Sequence, residues 1–271
     1  MATHEMTLPA YEVYAIKYGS VQDRPRHTNF IVADPHEGNM PIDYFVWALV
    51  NKDRTIVIDT GFDHAEASSR GREIQRLPAE GLEMIGVDAA KIEDVVITHM
   101  HYDHAGTCDA FPNATFHLQE REMQYVTGRR MTQDPFSHPY SCCHVQEMVG
   151  YVFDRRVQFH DGDSELAPGV SVHLIGGHTM GIQSVRVRTE NGWLVLASDA
   201  AHFYENMEKP SPFPIVYSVA DMIDGFGTLR RLAETDRHIV PGHDPLVLER
   251  YPAARPELDG IVARLDVPRL D

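Results

Sequence analysis

Three histidines and one aspartate occupy six consecutive positions near the middle of the sequence, within the stretch THMHYDHAGT at 98–107. They are His99, His101, Asp103 and His104. Directly before them, residues 94–98 form a short run rich in β-branched side chains, which predicts a buried strand. The end of a strand is a rigid support for a polar loop, so the cluster is a candidate functional site.

The cluster has the chemistry of a metal site, because neutral imidazoles and carboxylates are ligands that Zn²⁺ prefers. His99 and His101 are two apart and would point the same way along an extended chain. Asp103 and His104 follow in a turn, where adjacent side chains diverge. Two ions side by side therefore fit the loop more easily than one, and a single-ion enzyme is the alternative.

Two ions need further ligands, and three candidates each follow a predicted strand. They are His178 in GGHTMG, Asp199 in SDA and His243 in PGHD. The strands before them are predicted at 171–175, 193–197 and 238–240. A glycine or another small residue beside each candidate lets the backbone approach closely. This repeated pattern is the main argument from the residues for one shared site.

The elements that position these residues alternate between strand and helix, which predicts layered α/β architecture with sheets packed on each other and helices outside. Further strands are predicted at 44–50, 55–59, 114–118 and 183–188, and helices at 64–85, from about 119, and at 218–235. Ser218 and Asp221 form a predicted capping box for the last helix. Because no linker divides the chain, we expect a single domain over 1–271. It would have an N-terminal extension over about 1–43 and an insertion over about 127–150.

Composition excludes several functional classes. The chain has 271 residues and a formal net charge of -16, so we expect neither a nucleic-acid partner nor a membrane partner. The longest apolar run, 44–50, is too short to span a bilayer, and the first twenty residues contain no apolar secretory signal. Three cysteines, an odd number, indicate a reducing compartment and hence a cytoplasmic location.

The elements HMHYDH, GGHTMG, SDA and PGHD, in this order, resemble those of the metallo-β-lactamase-fold hydrolases. Together with the DTG turn at Asp59, the set covers positions 59 to 243. Within that superfamily the chain most resembles the N-acyl homoserine lactonase-like branch. The resemblance implies a four-layer αβ/βα sandwich with the site at one edge of the paired sheets. In relatives the first 45 residues or so cover a neighbouring subunit, so a homodimer is one expectation.

The resemblance also implies a role for each candidate ligand. His99, His101 and His178 would hold one metal ion, Asp103, His104 and His243 would hold the second, and Asp199 would bridge both. The expected cofactors are two Zn²⁺ ions per chain, with iron, manganese or cobalt as alternatives. Asp59 would orient the ligand loop by hydrogen bonds. Asp103 would also pass a proton to the leaving alkoxide.

The implied function is metal-dependent hydrolysis of a small lactone, with N-acyl homoserine lactone, and therefore quorum quenching, as the leading expectation. One position departs from the lactonase pattern. Those enzymes carry a tyrosine three residues after the bridging aspartate, where it donates a hydrogen bond to the lactone carbonyl or its oxyanion, and here that residue is His202. Either His202 donates in its place, or Tyr204 reaches the site, or the substrate differs.

Other reactions on the same metal site remain open alternatives. They are hydrolysis of another carboxylic ester, of a thioester as in glyoxalase II-like relatives, or of a lactam. An iron-dependent oxidoreductase is a further alternative from another class.

Overall fold

Two β-sheets pack face to face in residues 8–32 and 35–271, the part of the chain that the structure, a computed structural model, describes. The larger sheet contains β1 (Glu12–Val21), β2 (Ile42–Val50), β3 (Thr55–Ile58), β4 (Glu73–Ile74), β5 (Asp94–Val96), β6 (Thr115–Gln119), β7 (Val157–His160) and β13 (Val262–Arg264). The smaller sheet contains β8 (Ser164–Ala167), β9 (Val170–Leu174), β10 (Gln183–Thr189), β11 (Gly192–Ser198) and β12 (Ile239–Pro241). The strand orders are β13-β1-β2-β3-β5-β6-β7, with β4 paired to β1, and β12-β11-β10-β9-β8.

The larger sheet is buried on both faces. Along β2, Trp47 and Leu49 belong to the core shared with the smaller sheet, whereas Val46 and Ala48 belong to a second core on the opposite face. A strand that buries both faces has no polar face, and for this reason its sequence is a continuous apolar run and does not alternate.

Helices cover the outer faces of both sheets. They are α1 (His64–Arg70), α2 (Pro78–Glu83), α3 (Glu120–Val126), α4 (Asp134–Ser137), α5 (Cys142–Phe153), α6 (Tyr204–Glu208), α7 (Val219–Leu232) and α8 (Leu246–Arg250). Buried residues of α1, α2, α3 and α5 join the second core of the larger sheet, and α7 packs on the smaller sheet through Met222 and Phe226. Ser218 caps α7 as predicted, since its hydroxyl accepts a hydrogen bond from the backbone of Asp221. The layers are helix, sheet, sheet and helix.

The strand directions bring the candidate ligands to one edge of the sheets. β3, β5, β6 and β7 are mutually parallel. In the smaller sheet β9 and β11 both run antiparallel to β10, and β12 is parallel to β11. The loop at 98–107 follows the carboxyl end of β5, and His178, Asp199 and His243 follow the carboxyl ends of β9, β11 and β12.

One region differs from the sequence-based expectation. The helix predicted at 64–85 is two short helices, because Gly71 ends α1 in the left-handed conformation (φ 61°) and Pro78 begins α2 after β4. The insertion at about 127–150, expected to be irregular or helical, contains α4 and most of α5. Among the described residues no helix is long and apolar enough to cross a membrane.

The segment expected to be an N-terminal extension contains β1, which pairs with β13 on one side and with β2 on the other. Residues 12–21 are therefore an interior strand of the larger sheet and not an appendage. The apolar pattern of this strand is interrupted by Lys17, whose ammonium lies 2.7 Å from the Asp43 carboxylate. A charged residue in the middle of a buried strand interrupts the apolar pattern by which such a strand is predicted, although its charge is paired across the sheet.

Candidate metal centre

Asp59 supports the base of the ligand loop. The residue is fully buried and has a positive φ of 62°. Its carboxylate accepts hydrogen bonds from the backbone nitrogen of Thr98 at 2.7 Å and from the Thr98 hydroxyl at 2.8 Å. It also lies 2.7 Å from His104 Nδ1. One carboxylate therefore fixes the start of the loop and the ring of His104, which is the orienting contact that the resemblance implies.

Four buried side chains form the first candidate ligand group: His99, His101, His178 and Asp199. His178 Nε2 lies 3.2 Å from His99 Nε2 and 2.9 Å from His101 Nδ1. Asp199 Oδ2 lies 3.4 Å from His178 Nε2 and 3.9 Å from His99 Nε2. Two atoms that each bind a tetrahedral zinc ion at about 2.0–2.1 Å are roughly 3.3 Å apart, so these spacings suit a single ion.

The second candidate ligand group consists of Asp103, His104 and His243. Asp103 Oδ2 lies 3.8 Å from His104 Nε2 and 3.7 Å from His243 Nε2. Asp199 Oδ1 lies 3.4 Å from His104 Nε2 and 3.0 Å from His243 Nε2. Oδ2 of Asp199 contacts the first group and also lies 3.3 Å from His243 Nε2, and Oδ1 contacts only the second group, so this carboxylate lies between the two groups. All seven candidate ligands are thus brought together in two adjoining groups.

Hydrogen bonds orient three of the histidines from outside the site. The Nδ1 atoms of His178, His243 and His104 lie 2.7, 2.8 and 2.7 Å from Ile215 O, Asp43 O and the Asp59 carboxylate, respectively. These oxygens can only accept, so each Nδ1 carries a hydrogen and, in the neutral ring, each Nε2 lone pair faces the site. This is the arrangement found in proteins around histidines that bind metals.

Two atoms at the centre support a cation directly. Among the described residues, His104 Nε2 and Asp199 Oδ1 are buried and make no hydrogen bond. A buried polar atom without a partner is costly, and a native protein almost always supplies one. A divalent ion between the two groups would satisfy both atoms. The donor set of five imidazoles and two carboxylates therefore fits two zinc-like ions.

The protonation states of the side chains in the centre also fit bound metal ions. Burial lowers the pKa of His99 and of His101 well below the usual value, which keeps both rings in the neutral form that binds metal. Burial opposes ionisation of Asp199, but the neighbouring His243 and other imidazoles hold its pKa well below the usual range. Burial also disfavours charge on His104, yet the carboxylates around it, with Asp199 foremost, raise its pKa well above the usual value. A proton on His104 and a metal ion are alternative ways to balance these carboxylates.

His202 faces the same centre. Its Nε2 lies 2.9 Å from Asp199 Oδ2, and its ring stacks parallel on Phe213 with centroids 3.3 Å apart. Burial lowers its pKa to about 3, so the ring is neutral. His202 also forms a third possible ligand group with Asp199 and His243. His202 and Tyr204 are the two residues that could replace the lactonase tyrosine. Of these, His202 lies beside the candidate ligand groups.

Tyr204, the other residue considered at this position, packs against two arginines and makes no described contact with the candidate ligand groups. Its ring lies against the guanidinium groups of Arg250 and Arg269, at 4.2 and 5.2 Å, in the core between the sheets. Among the described residues its hydroxyl makes no hydrogen bond. Tyr204 is the first residue of α6, whereas His202 precedes the helix.

Glu122 is a functional candidate that sequence reasoning missed. This fully buried carboxylate on α3 accepts hydrogen bonds from the Met100 and Gly181 backbone nitrogens and from the Thr179 and Tyr140 hydroxyls, at 3.0, 3.1, 2.6 and 3.2 Å. It therefore joins the ligand loop to the segment after His178. The available signal was a carboxylate on the apolar face of α3, three and four residues before the buried Tyr125 and Val126.

We expect Glu122→Leu to lower the free energy of unfolding by about 3–5 kcal/mol, because four buried donors lose their acceptor together. Glu122→Gln keeps the shape and one acceptor oxygen, so its loss should be smaller. The measurement is urea unfolding of the metal-loaded protein, with Glu120→Leu, an exposed site on the same helix, as the matched control. Equal effects of the substitutions at 120 and 122 would show that the contacts of Glu122 contribute nothing.

The model of the family described as the metallo-beta-lactamase superfamily matches residues 41–248. The chain belongs to this superfamily. The match covers the ligand loop and the three later candidate ligands. It confirms the resemblance inferred from the ordered elements HMHYDH, GGHTMG, SDA and PGHD.

Curated relatives include N-acyl homoserine lactonases. The chain is 33% identical over 175 residues to AttM of Azorhizobium caulinodans, covering 59% of this chain and 61% of AttM. It is 31% identical over 184 residues to AttM of Rhizobium johnstonii, covering 63% and 65%. With AiiA of Bacillus thuringiensis subsp. kurstaki it shares 26% over 225 residues, covering 76% and 82%. The alignment thus spans less than two thirds of the length of the two AttM proteins.

Solved structures show the same fold. A quorum-quenching N-acyl homoserine lactone lactonase superposes with a TM-score of 0.72 at 20% identity, covering 88% of this chain and 94% of that one. AidC, described as a dizinc quorum-quenching lactonase, superposes with a TM-score of 0.67 at 16% identity, covering 89% and 90%. These superpositions confirm the metallo-β-lactamase fold expected from the sequence.

Proposed function

We propose that this chain is a metal-dependent hydrolase that opens lactone rings, with N-acyl homoserine lactones as its substrates and quorum quenching as its role. The observation that carries the proposal is the position of Asp199, whose two carboxylate oxygens contact two adjoining groups of metal-ligand side chains. The names of the AttM, AiiA and AidC proteins support the choice of substrate.

Two zinc ions are the proposed cofactors. His99, His101 and His178 would hold the first, Asp103, His104 and His243 the second, and Asp199 both. A pair of divalent ions supplies Lewis acidity, which lowers the pKa of water to make a nucleophile at neutral pH and stabilises charge that develops on the carbonyl and leaving oxygens. Iron, manganese or cobalt are alternative ions for the same donor set.

The residues of the chain then position the substrate and move protons. We assign His202 Nε2, beside Asp199, as the donor to the oxygen that gains negative charge in the transition state. Asp103 is the most exposed candidate ligand, with a side chain 10% accessible, so its carboxylate is the one best able to deliver a proton to the leaving alkoxide. Stacking on Phe213 holds the His202 ring in place.

We expect His202→Ala to keep both metal ions and to lose most of the turnover, by about 10²–10³-fold, the effect of removing one donor to a developing oxyanion. Tyr204→Phe is the matched control and should retain full activity, because its hydroxyl lies away from the centre. Turnover and metal content are measured on the same preparations. Loss of metal in His202→Ala would instead make this histidine a ligand, and an unchanged rate would remove it from the mechanism.

The experiment that tests the function is an assay of hydrolysis at constant pH, preceded by elemental analysis. The panel contains short- and long-chain homoserine lactones, simple γ- and δ-lactones, an ester, a glutathione thioester and a β-lactam. We expect about two zinc ions per chain and the fastest turnover on the homoserine lactones. Cleavage of the thioester alone would overturn the lactonase proposal, and stoichiometric iron without hydrolysis would favour redox chemistry.

We also propose a single domain over 1–271 and a cytoplasmic location. The location is supported by the cysteines, since Cys108, Cys142 and Cys143 are all unpaired. A homodimer stays a proposal, to be tested by light scattering.

A further inference from the structure

Four arginines line one small cavity of about 230 Å³ beside α6, α7 and α8: Arg230, Arg237, Arg250 and Arg269. Acidic residues outnumber basic ones in the chain by 40 to 24, so this is a local concentration of positive charge on an acidic protein. Glu208 and Asp236 also line the cavity, and Asp236 lies 3.3 Å from Arg230. The other three arginines share a different carboxylate.

That carboxylate belongs to Asp271. Arg269 donates two hydrogen bonds to it, one to each oxygen, at 2.7 and 2.6 Å. Arg250 lies 3.3 Å and Arg237 lies 3.6 Å from the same group. The hydrogen bonds from Arg269 lower the pKa of Asp271 to about 2. The three guanidinium groups therefore converge on a position that already holds an anionic oxygen group.

One carboxylate does not satisfy three guanidinium groups. Arg269 uses both oxygens of Asp271, and the contacts of Arg250 and Arg237 are longer than the 2.7–2.9 Å of a charge-assisted hydrogen bond. Within the described part of the chain, neither the Arg237 nor the Arg250 side chain donates a hydrogen bond to any other group. Two of the three cations thus have donors available for a further oxygen.

The position of the cavity favours a ligand from solution. The buried ring of Tyr204 lies against the guanidinium groups of Arg250 and Arg269, at 4.2 and 5.2 Å, which fixes these two cations before a ligand arrives. The side chains of Arg237 and Asp271 are 58% and 47% accessible. One side of the cavity is therefore rigid and the other is open to solvent.

The cavity is separate from the candidate metal centre. None of the seven candidate ligands, all of which the structure describes, is among its lining residues. The two sites are neighbours only through the chain: the Tyr204 backbone nitrogen donates to the Asp244 carboxylate at 3.0 Å, and Asp244 directly follows His243. A ligand in the cavity would therefore bind without contacting the metal ligands.

We propose that this cavity binds a phosphate group, which takes the place of the Asp271 carboxylate between Arg237, Arg250 and Arg269. A tetrahedral phosphate presents oxygens outside the plane of one bidentate pair, so each guanidinium can bind an oxygen of its own. Inorganic phosphate and the phosphate of a small sugar phosphate present the same oxygens. The proposal goes beyond the hydrolase function and does not depend on it.

The test is calorimetric titration of the zinc-loaded protein with inorganic phosphate, a small sugar phosphate or acetate, at an ionic strength held constant with chloride. We expect phosphate to bind much more tightly than acetate. Arg269→Gln and Arg237→Gln should each weaken phosphate binding by about 10- to 100-fold, the range for hydrogen bonds to a charged group. Asp271→Asn should strengthen it, because the competing carboxylate is removed. The sugar phosphate arm distinguishes a metabolite from the free ion.

Arg231→Gln is the matched control, since Arg231 is an exposed arginine of α7 that donates to the Thr228 hydroxyl outside the cavity. It should leave phosphate binding unchanged. Arg237 is largely accessible, so its replacement should also leave the melting temperature unchanged and keeps the test valid if Arg269→Gln does not fold. Equal affinity for acetate and phosphate, or no gain in Asp271→Asn, would overturn the proposal.

A second comparison separates the cavity from the metal centre, because bound metal ions also attract phosphate. Binding in the cavity should persist in Asp199→Ala and be lost in the arginine variants. The opposite result, loss in Asp199→Ala with unchanged binding in the arginine variants, would place the anion at the metal ions and contradict the cavity site. Hydrolysis without phosphate should be the same in Arg237→Gln and the unmodified chain, so failure of the hydrolase function is recognised independently.

Discussion

Asp199→Ala is expected to reduce hydrolysis to below about a thousandth of the wild-type rate, the order of loss that follows removal of a central member of a catalytic unit. The physical reason is that both oxygens of this carboxylate are in use: Oδ2 lies 3.4 Å from His178 Nε2, and Oδ1 lies 3.0 Å from His243 Nε2. No other carboxylate of the described residues lies between the two groups. Bound metal should fall from two ions to one or none.

The measurement pairs a rate assay with elemental analysis of the same protein sample. Asp163→Ala is the matched control: it removes an aspartate that lies 3.0 Å from His173 Nδ1, outside both ligand groups. That variant should keep its metal and its rate. If Asp199→Ala retains the wild-type rate, the reading of the centre as a dinuclear site cannot be maintained.

The candidate ligands could be predicted from the sequence because a local pattern marks each of them. His178, Asp199 and His243 all follow a short strand and have a small residue beside them, and the cluster of four is contiguous in the chain. To bring the ligands together, the prediction then needs only the rule that the carboxyl ends of parallel strands meet at one edge of a sheet. In the structure the candidate ligands follow the carboxyl ends of β5, β9, β11 and β12. Pattern and topology agree here, as expected where each local preference favours the same fold.

The supporting residues could not be predicted, because their function depends on contacts distant in sequence. Glu122 accepts a hydrogen bond from Gly181, 59 positions later, and β1 pairs with β13 near the other end of the chain. Neither the Glu122–Gly181 hydrogen bond nor the β1–β13 pairing produces a periodic pattern in the local sequence. The tight approach of Gly181 to the backbone of Glu122, where a Cβ would lie 2.1 Å from the Glu122 nitrogen, explains the glycine in GGHTMG only once the fold is known.

Tyr204 shows the limit of transferring roles by position. Counting from the bridging aspartate gave His202, and Tyr204 was the nearby tyrosine considered as an alternative. His202 lies 2.9 Å from Asp199, whereas the Tyr204 ring, at the start of α6, packs against Arg250. Histidine in place of tyrosine at position 202 keeps a hydrogen-bond donor, but the imidazole extends less far from the backbone than a phenol does. The exchange is therefore compatible with the same reaction on a substrate that sits deeper or carries a different acyl group.

Removal of the metal ions should both abolish activity and destabilise the fold. The centre contains two aspartates and five histidines that are almost completely buried, together with the Asp59 carboxylate behind them. Without divalent ions these charges must be balanced by protons. A ligand present at a thousand times its dissociation constant stabilises by about 4 kcal/mol. For a chain of this size each kcal/mol moves the melting temperature by about 2–4 °C, so we expect chelation to lower it by about 10 °C.

Melting curves and rates are recorded before chelation, after it, and after zinc is restored. Zinc should recover both quantities, whereas calcium should recover neither, since it favours six to eight oxygen ligands over imidazoles. Asp199→Ala is the control, because a chain that has already lost the shared ligand should respond to the chelator much less. Metal-free protein, verified by elemental analysis, that keeps its full rate and melting temperature would contradict the proposed centre. In that case the negative charge of the carboxylates around His104 would have to be balanced without metal. A proton on His104 would balance it, because those carboxylates raise the pKa of this histidine.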